Sequence, residues 1–331
     1  MIDQHLEGRS RHQLVGLFLG PLLAIAMIVS GAPDGLSDSG WMTAAVGVLM
    51  AVWWATEAVP IAVTALLPIV VFPLLGIATI QDTTSPYANK VIYLFLGGFI
   101  VAFAMQRWNL HRRIALNVLQ HVGGNGRSLI GGFMLAAAII SMWVMNTSTT
   151  MMLLPIAVSI IGVIHGSVDS LDEKARLDFQ YALLLGVAYA ATIGGMATLV
   201  GTAPNALLAA FMQETYGIEI DFASWMLVGL PLSALMLPLA WFVLTRIAFK
   251  VDFRTSGEGK ATLRRLKEEL GPISTPEIRV AIVFTLMAMP WVARPLLVKL
   301  PGLSALDDSG IAMAGAIALF LIPSGDKSDP M

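Results

Sequence analysis

Between Leu129 and Ile164 the chain is apolar for roughly 36 residues, close to two membrane spans at ~20 residues each, except near its middle. There it reads Ser141-Met-Trp-Val-Met-Asn-Thr-Ser-Thr-Thr150, with one amide and four hydroxyls in succession from Asn146 and Pro155 just beyond. Such groups are tolerated at membrane depth only where they are buried in protein or line a wet cavity, because hydrocarbon cannot hydrogen-bond them. The run therefore either crosses twice, with the polar patch in a short exposed turn, or dips in and returns as a re-entrant hairpin with the patch at its tip. Both ends face the same side in either case.

The rest of the chain belongs to the same solvent. Of its 331 residues 56% are hydrophobic and only 13% charged, against about 25% charged in soluble domains, which makes it a polytopic membrane protein. The net charge of −2 says nothing about a nucleic-acid partner, but the chain has no basic run of the kind that tracks phosphates, so nucleic-acid binding is set aside. With no cysteine, disulfides, thiol catalysis and cysteine metal sites are excluded. His5, His12, His111, His121 and His165 fall in or beside loops without metal or nucleophile spacing, so no enzyme is expected.

The basic residues orient the spans. Gln13 to Ser30 is the first, followed by a turn-rich segment to Gly40 that lacks Lys and Arg and so fits the outer side, with the N-terminus in the cytoplasm. Trp41 to Ile77 is interrupted at Thr56-Glu57-Ala-Val-Pro60, which predicts a helix break and a second helix over 61–77; the blander reading has Glu57 capping that following helix. Val91 to Met105 is the next span, where Gly97-Gly98 permits close packing. Arg107, His111, Arg112, Arg113 and Arg127 then read as one cytoplasmic loop, and the basic residues from Lys250 to Arg279 as another. Leu263, Leu266 and Leu270 share a face there, predicting a short interfacial helix. Arg294 and Lys299 fall in a loop assigned to the outer side, against the charge rule. Ser37-Asp-Ser-Gly40 and Asp307-Asp-Ser-Gly310 form a faint internal echo.

Phe179 to Met212 is apolar but broken at Thr192-Ile-Gly-Gly195 and at Gly201-Thr-Ala-Pro-Asn205. Each break alone can be an ordinary kink. Two interrupted apolar segments in succession point to a midplane binding site and favour the hairpin for 129–164. No Lys or Arg lies in the middle of an apolar segment, so an anion there would be held by amides, hydroxyls and helix N-termini. Asn146, Thr147 and Thr202 suit that purpose. Unwound carbonyls with Ser, Thr and Asn oxygens suit a hard cation, and Ser141 lies one helical turn before Met145.

In these motifs the chain resembles the divalent-anion:sodium symporter family, the sodium-coupled dicarboxylate, tricarboxylate and sulfate carriers. Thr56-Glu-Ala-Val-Pro-Ile-Ala-Val-Thr-Ala-Leu-Leu-Pro68 resembles its early helix pair, and Ile92-Tyr-Leu-Phe-Leu-Gly-Gly-Phe its next helix. Gly194-Gly-Met-Ala-Thr-Leu-Val-Gly-Thr-Ala-Pro-Asn205 resembles its broken helix, and Asn146-Thr147 matches the end of its Ser-Asn-Thr signature. The likeness runs from about residue 12 to the end. It implies that Ser141, Asn146 and Gly201 ligate sodium, with Met145 contributing a backbone carbonyl where the signature has serine. It further implies that Asn146, Thr147 and Thr202 surround a substrate carboxylate.

The implied fold is an all-α inverted-repeat transporter with a re-entrant helical hairpin and a broken helix, its second repeat mostly absent. Residues 1–127 would be mainly scaffold, with 91–105 a candidate link to the next part. Residues 128–212 would be the transport portion (hairpin 128–165, broken helix 179–212), 213–275 a connecting helix and basic loop, and 276–331 the start of a truncated second repeat. The implied function is elevator-type symport of sodium with a divalent anion, foremost succinate, malate or fumarate, by a homodimer in a bacterial inner membrane. Sodium would be the coupling ion and the only metal, with no cofactor. A sodium-independent dicarboxylate exchanger and a truncated, non-transporting membrane subunit are the alternatives.

Overall fold

The computed structural model describes residues 10–167, 172–253 and 257–325. Every element among them is helical, and seven helices are long and apolar enough to cross a membrane. This is an all-α polytopic membrane protein. It divides into two compact units, one ending at Asn89 and one beginning at Lys90.

In the first unit α1 (Arg11–Ser30) packs along α2 (Asp38–Thr56). Ser37 is the N-cap of α2, its hydroxyl accepting from the Gly40 N–H at 3.1 Å. At the other end of α2, Glu57 turns into the left-handed region at φ 49°. Glu57 therefore closes the preceding helix, and the expectation that it caps the following one is corrected: that N-cap is Pro60. Nor is 61–77 one helix. It is split into α3 (Ile61–Thr64) and α4 (Leu67–Leu74), because Pro68 has no N–H for the Thr64 carbonyl and its ring crowds that carbonyl. A short α5 (Ile80–Thr84) ends the unit.

The second unit opens with α6 (Lys90–Arg107), where a methyl group on Gly97 would lie 2.5 Å from the Ala312 backbone, so the expected close packing is present. The supposed basic loop that follows is instead an amphipathic helix, α7 (Leu110–Gln120), burying Leu110, Leu116 and Leu119. His111 is buried with them, not in a loop. Its Nδ1–H donates to the Met105 carbonyl at 3.0 Å, and burial holds its pKa below the ordinary histidine value. Arg113 is likewise no loop charge: its guanidinium forks onto the nearly buried Glu277 at 2.8 and 3.1 Å.

Helices α8 (Gly126–Ser141), α9 (Asn146–Ser167) and α10 (Glu173–Gly195) pack together around a core that includes Phe133, Leu153, Ile160, Phe179 and Leu183. After α11 (Ala203–Tyr216) and α12 (Phe222–Phe242), α13 (Glu258–Glu269) lies on α7 and α9. Leu263, Leu266 and Leu270 join that core, so the apolar face read as interfacial packs on protein. Helices α14 (Thr275–Leu297) and α15 (Asp308–Leu321) pack with α6 around a second core, in which Phe222 stacks on Trp143 and Trp291 with ring centroids 5.9 and 4.7 Å apart.

Candidate functional site

Two helices stop in the apolar interior and two begin there. α8 ends at Ser141, residues 142–145 form a short linker, and α9 starts at Asn146. α10 ends at Gly195, residues 196–202 are irregular, and α11 starts at Ala203. Pro204 has no N–H to continue a helix from Val200 and stands instead in the first turn of α11, where none is needed.

The breaks meet at Gly195. A methyl group there would lie 2.5 Å from Asn146 Oδ1 and 2.6 Å from Thr202 Cγ2, and only glycine lets these groups converge. Its neighbour Gly194 is in equally close contact with the Ala138 backbone of α8. The Ser141 hydroxyl, fully buried, donates to Asn146 Oδ1 at 2.5 Å. Gly201 packs against the backbone of Gly195. Ser141, Asn146, Gly201 and Thr202 are thus brought together as the sequence suggests. Met145 is at the edge: its side chain is partly exposed, while its carbonyl accepts the Thr149 N–H at 3.0 Å and keeps a second lone pair. Thr147 is exposed on the first turn of α9 and makes no hydrogen bond to this network.

Side chains cap the carbonyls freed by the break. Asn205 donates its amide to the carbonyls of Gly195 (2.9 Å) and Thr198 (2.8 Å). Trp225 Nε1–H donates to Met196 at 3.0 Å, and the Ser233 hydroxyl to Ile193 at 2.7 Å. The buried Thr198 hydroxyl donates to the Met142 carbonyl of the other break and accepts from the Gly201 N–H at 3.1 Å, tying the two linkers together.

The helix starts are treated in the opposite way. Thr202, the N-cap of α11, makes no side-chain cap; its hydroxyl turns to Asn205 Oδ1 at 3.2 Å. The residue before α9 is Met145, which has no hydroxyl or carboxylate to offer. The first N–H groups of a helix have no intrahelical partner and carry the positive end of its dipole. At α11 Pro204 has no N–H and the Asn205 N–H turns to the Thr202 carbonyl at 3.3 Å, so fewer donors remain there than at α9; those left open onto a neutral cluster of amides and hydroxyls, which can take an anion at the N–H groups and a hard cation at the oxygens.

Thr198, Asn205, Gly195 and Thr149 were not singled out from the sequence. Asn205 closes the Gly-Thr-Ala-Pro-Asn motif and Thr198 precedes Gly201 by one turn, so both had a local signal. Thr149 belongs to the polar run from Asn146 to Thr150, but nothing in that run marked it from its neighbours: its hydroxyl is fully buried and has no hydrogen-bond partner. Among the described residues no group of three His, Asp or Glu is placed to hold a metal ion.

An all-helical membrane protein with two interrupted segments converging on a neutral polar centre has the build of a secondary transporter. Residues 11–324 match the sodium:sulfate symporter transmembrane region, and the chain belongs to that family. It is 41% identical over 320 residues to the sodium-dependent dicarboxylate transporter SdcS of Staphylococcus saprophyticus. To the transporter of the same name from Staphylococcus aureus it is 39% identical over 317 residues. Each match takes in 95% of this chain and 61% of the relative, so the chain spans about three fifths of the length of these curated relatives.

Proposed function

We propose that this protein, at the length of its relatives, is a sodium-coupled symporter of divalent anions, with C4-dicarboxylates such as succinate, malate and fumarate as substrates. The observation that carries this reading is the asymmetry at Gly195: side chains cap the freed carbonyls while both helix starts stay open. Asn146, Thr147 and Thr202 hold a substrate carboxylate with the N–H groups at the starts of α9 and α11. Ser141, Asn146 and the carbonyls of Met145 and Gly201 ligate sodium. The relatives' names, which couple sodium to a dicarboxylate, support the same pairing.

In this reading α8 and α9 form a re-entrant hairpin. At ~1.5 Å per residue the 16 residues of α8 reach about 24 Å, short of a hydrocarbon core about 30 Å thick, whereas the 22 residues of α9 reach about 33 Å, so it is α8 that supports the hairpin. Residues 128–212 form the transport portion of an elevator-type movement and 1–127 contribute mainly scaffold. Residues 213–275 connect, and 276–331 open a second, inverted repeat. The working unit is a homodimer in a bacterial inner membrane, with the N-terminus in the cytoplasm.

The test is uptake of labelled succinate into proteoliposomes that carry the protein at the relatives' length. An inward sodium gradient should drive uptake, and Asn146→Ala should lower it at least tenfold. Uptake indifferent both to sodium and to this substitution would sink the reading. Met145, which replaces a hydroxyl of the family signature, favours as a second reading a dicarboxylate exchanger that needs no sodium. Equal succinate counterflow with and without sodium, still sensitive to Asn146→Ala, would select it.

A further inference from the structure

Asp308, the first residue of α15, is 6% exposed, and its carboxyl is used on one side only. Oδ2 accepts the Phe222 N–H at 2.8 Å and faces Arg294 Nη1 at 3.5 Å, while Oδ1 is buried without a hydrogen-bond partner. Its main-chain carbonyl accepts from Trp291 Nε1–H at 2.9 Å. One residue therefore fixes both Phe222 and Trp291, two fully buried aromatics that stack with ring centroids 4.7 Å apart.

That stack leads to the two breaks. Phe222 also stacks on Trp143, which lies in the linker between α8 and α9 next to Met142, the residue whose carbonyl takes the Thr198 hydroxyl. Phe222 opens α12, and three residues on Trp225 caps the Met196 carbonyl of the other linker at 3.0 Å. A methyl group on Gly229 would lie 2.6 Å from that same carbonyl, so α12 rests directly on the second break. A shift at the start of α12 is felt at both, because close-packed interiors transmit strain.

The Asp308 carboxyl can change state. Arg294 faces it from α14, and around the pair lie Asp221 and Glu219 from the segment ahead of α12, Lys90 from the start of α6 and the adjacent Asp307, so four carboxylates share two cations. Burial, with the charges of Asp221 and Asp307, outweighs the Phe222 N–H and Arg294 and pushes its pKa up to about 6. A cavity of about 30 Å³ among these residues has room for a water that brings the proton. Oδ1 takes it without giving up a bond. The Phe222 N–H then exchanges a charged acceptor for a neutral one, which roughly halves the strength of that bond.

We propose that Asp308 is a positioning residue for the sodium site at Gly195: its carboxylate holds the start of α12 and the Phe222–Trp143 stack against the two breaks, and its neutral acid lets them slacken, so that sodium binds more weakly in acid. The inference rests on the reading of that cluster as a sodium site.

The experiment is a sodium titration of the protein at its relatives' length in detergent, read as the rise in melting temperature, between pH 8 and pH 5 and at an ionic strength held constant with N-methylglucamine chloride. The half-saturating sodium concentration should rise about threefold from pH 8 to pH 5, with its midpoint near pH 6. Asp308→Asn, which has the shape and charge of the neutral acid, should bind at every pH as the parent does at pH 5. Asp221→Asn keeps a side chain that caps α12 and removes one carboxylate from the cluster, so it should move the midpoint to lower pH. A half-saturation that is the same at both ends overturns the inference and leaves the sodium site standing, as does a rise that persists unchanged in Asp308→Asn or a midpoint unmoved in Asp221→Asn. A parent that answers sodium at no pH overturns the site and this inference together.

Discussion

Two polar clusters lie in the second unit, and they differ in the one respect that matters for function. Around Gly195 every group is neutral: Ser141, Asn146, Thr198, Thr202 and Asn205. Around Arg294 charged side chains gather, and its Nε also donates to the Leu306 carbonyl at 3.0 Å. Its guanidinium faces Glu219 at 3.4 Å, Asp308 at 3.5 Å, Asp221 at 3.7 Å and Asp307 at 4.0 Å, while Lys90 approaches Glu219 at 3.4 Å and Asp307 at 3.6 Å. Buried charges are costly unless paired, and here each sign finds the other within the protein. The four carboxylates nonetheless outnumber the two cations, and Asp308 Oδ1 is buried without a hydrogen-bond partner. The neutral cluster can be empty without leaving an uncompensated charge behind, which a site that takes up ions and releases them requires.

The largest effect expected from breaking this contrast is that of Arg294→Met. With the side chain only 14% exposed, its removal strands the acids and should cost about 3–5 kcal/mol, read as a large drop in melting temperature in detergent. Asp308→Asn in the same background should recover part of the loss. The response of melting temperature to sodium and succinate should survive; a variant that melts like the parent but has lost that response would move Arg294 into the binding site.

Within the neutral cluster, two buried threonines sharpen the comparison further. Thr198→Val removes the donor to the Met142 carbonyl and leaves the Gly201 N–H only its 3.4 Å bond to the Thr198 carbonyl, which should cost about 1–3 kcal/mol. Thr149→Val removes a hydroxyl that has no partner, so it should be neutral or slightly stabilising in the same melt. Should Thr149→Val instead weaken stabilisation by sodium, its hydroxyl belongs to the cation's ligands.

The smallest effect expected is acid sensitivity in the charged cluster. Burial raises the proton affinity of Asp307, but the Ser309 N–H and the charges of Lys90 and Arg294 outweigh it and hold the carboxyl below its ordinary value of 3.8. A folded-state value below the unfolded one means stability that is present above pH 3.8 and lost as pH falls through the lower folded value. Between pH 6 and 3 the parent should therefore lose slightly more melting temperature than Asp307→Asn. An identical decline in both would show that this carboxylate adds nothing.

Which parts of this were legible in the sequence follows from how far apart the interacting groups lie. The breaks were legible because their causes are local: Pro204 lacks an N–H, Gly201 and Gly195 lack side chains, and Asn146 to Thr150 is polar inside an apolar run. The caps were not, since the groups that satisfy those carbonyls come from Trp225 and Ser233 on another helix. Charge counting failed for the same reason. Arg113 was read as a loop charge although its partner, Glu277, is 164 residues away. Arg294 was likewise read as a loop charge, although it stands in the last turn of α14 beside Glu219 and Asp308.

By itself, then, the sequence determined that the chain spans a membrane with helices, that two of its apolar segments break before Asn146 and at Gly201 to Asn205, and which side chains stand at those two breaks, though not the split between Thr64 and Leu67. Each of these depends on hydropathy and backbone chemistry within a few residues. Only the tertiary structure decided that the two breaks meet at Gly195, that Asn205 and Thr198 stitch them together, and that the helix starts stay open while the carbonyls are capped. Convergence of that kind depends on packing between α8, α9, α10 and α11, and packing is set by contacts between residues far apart in the chain.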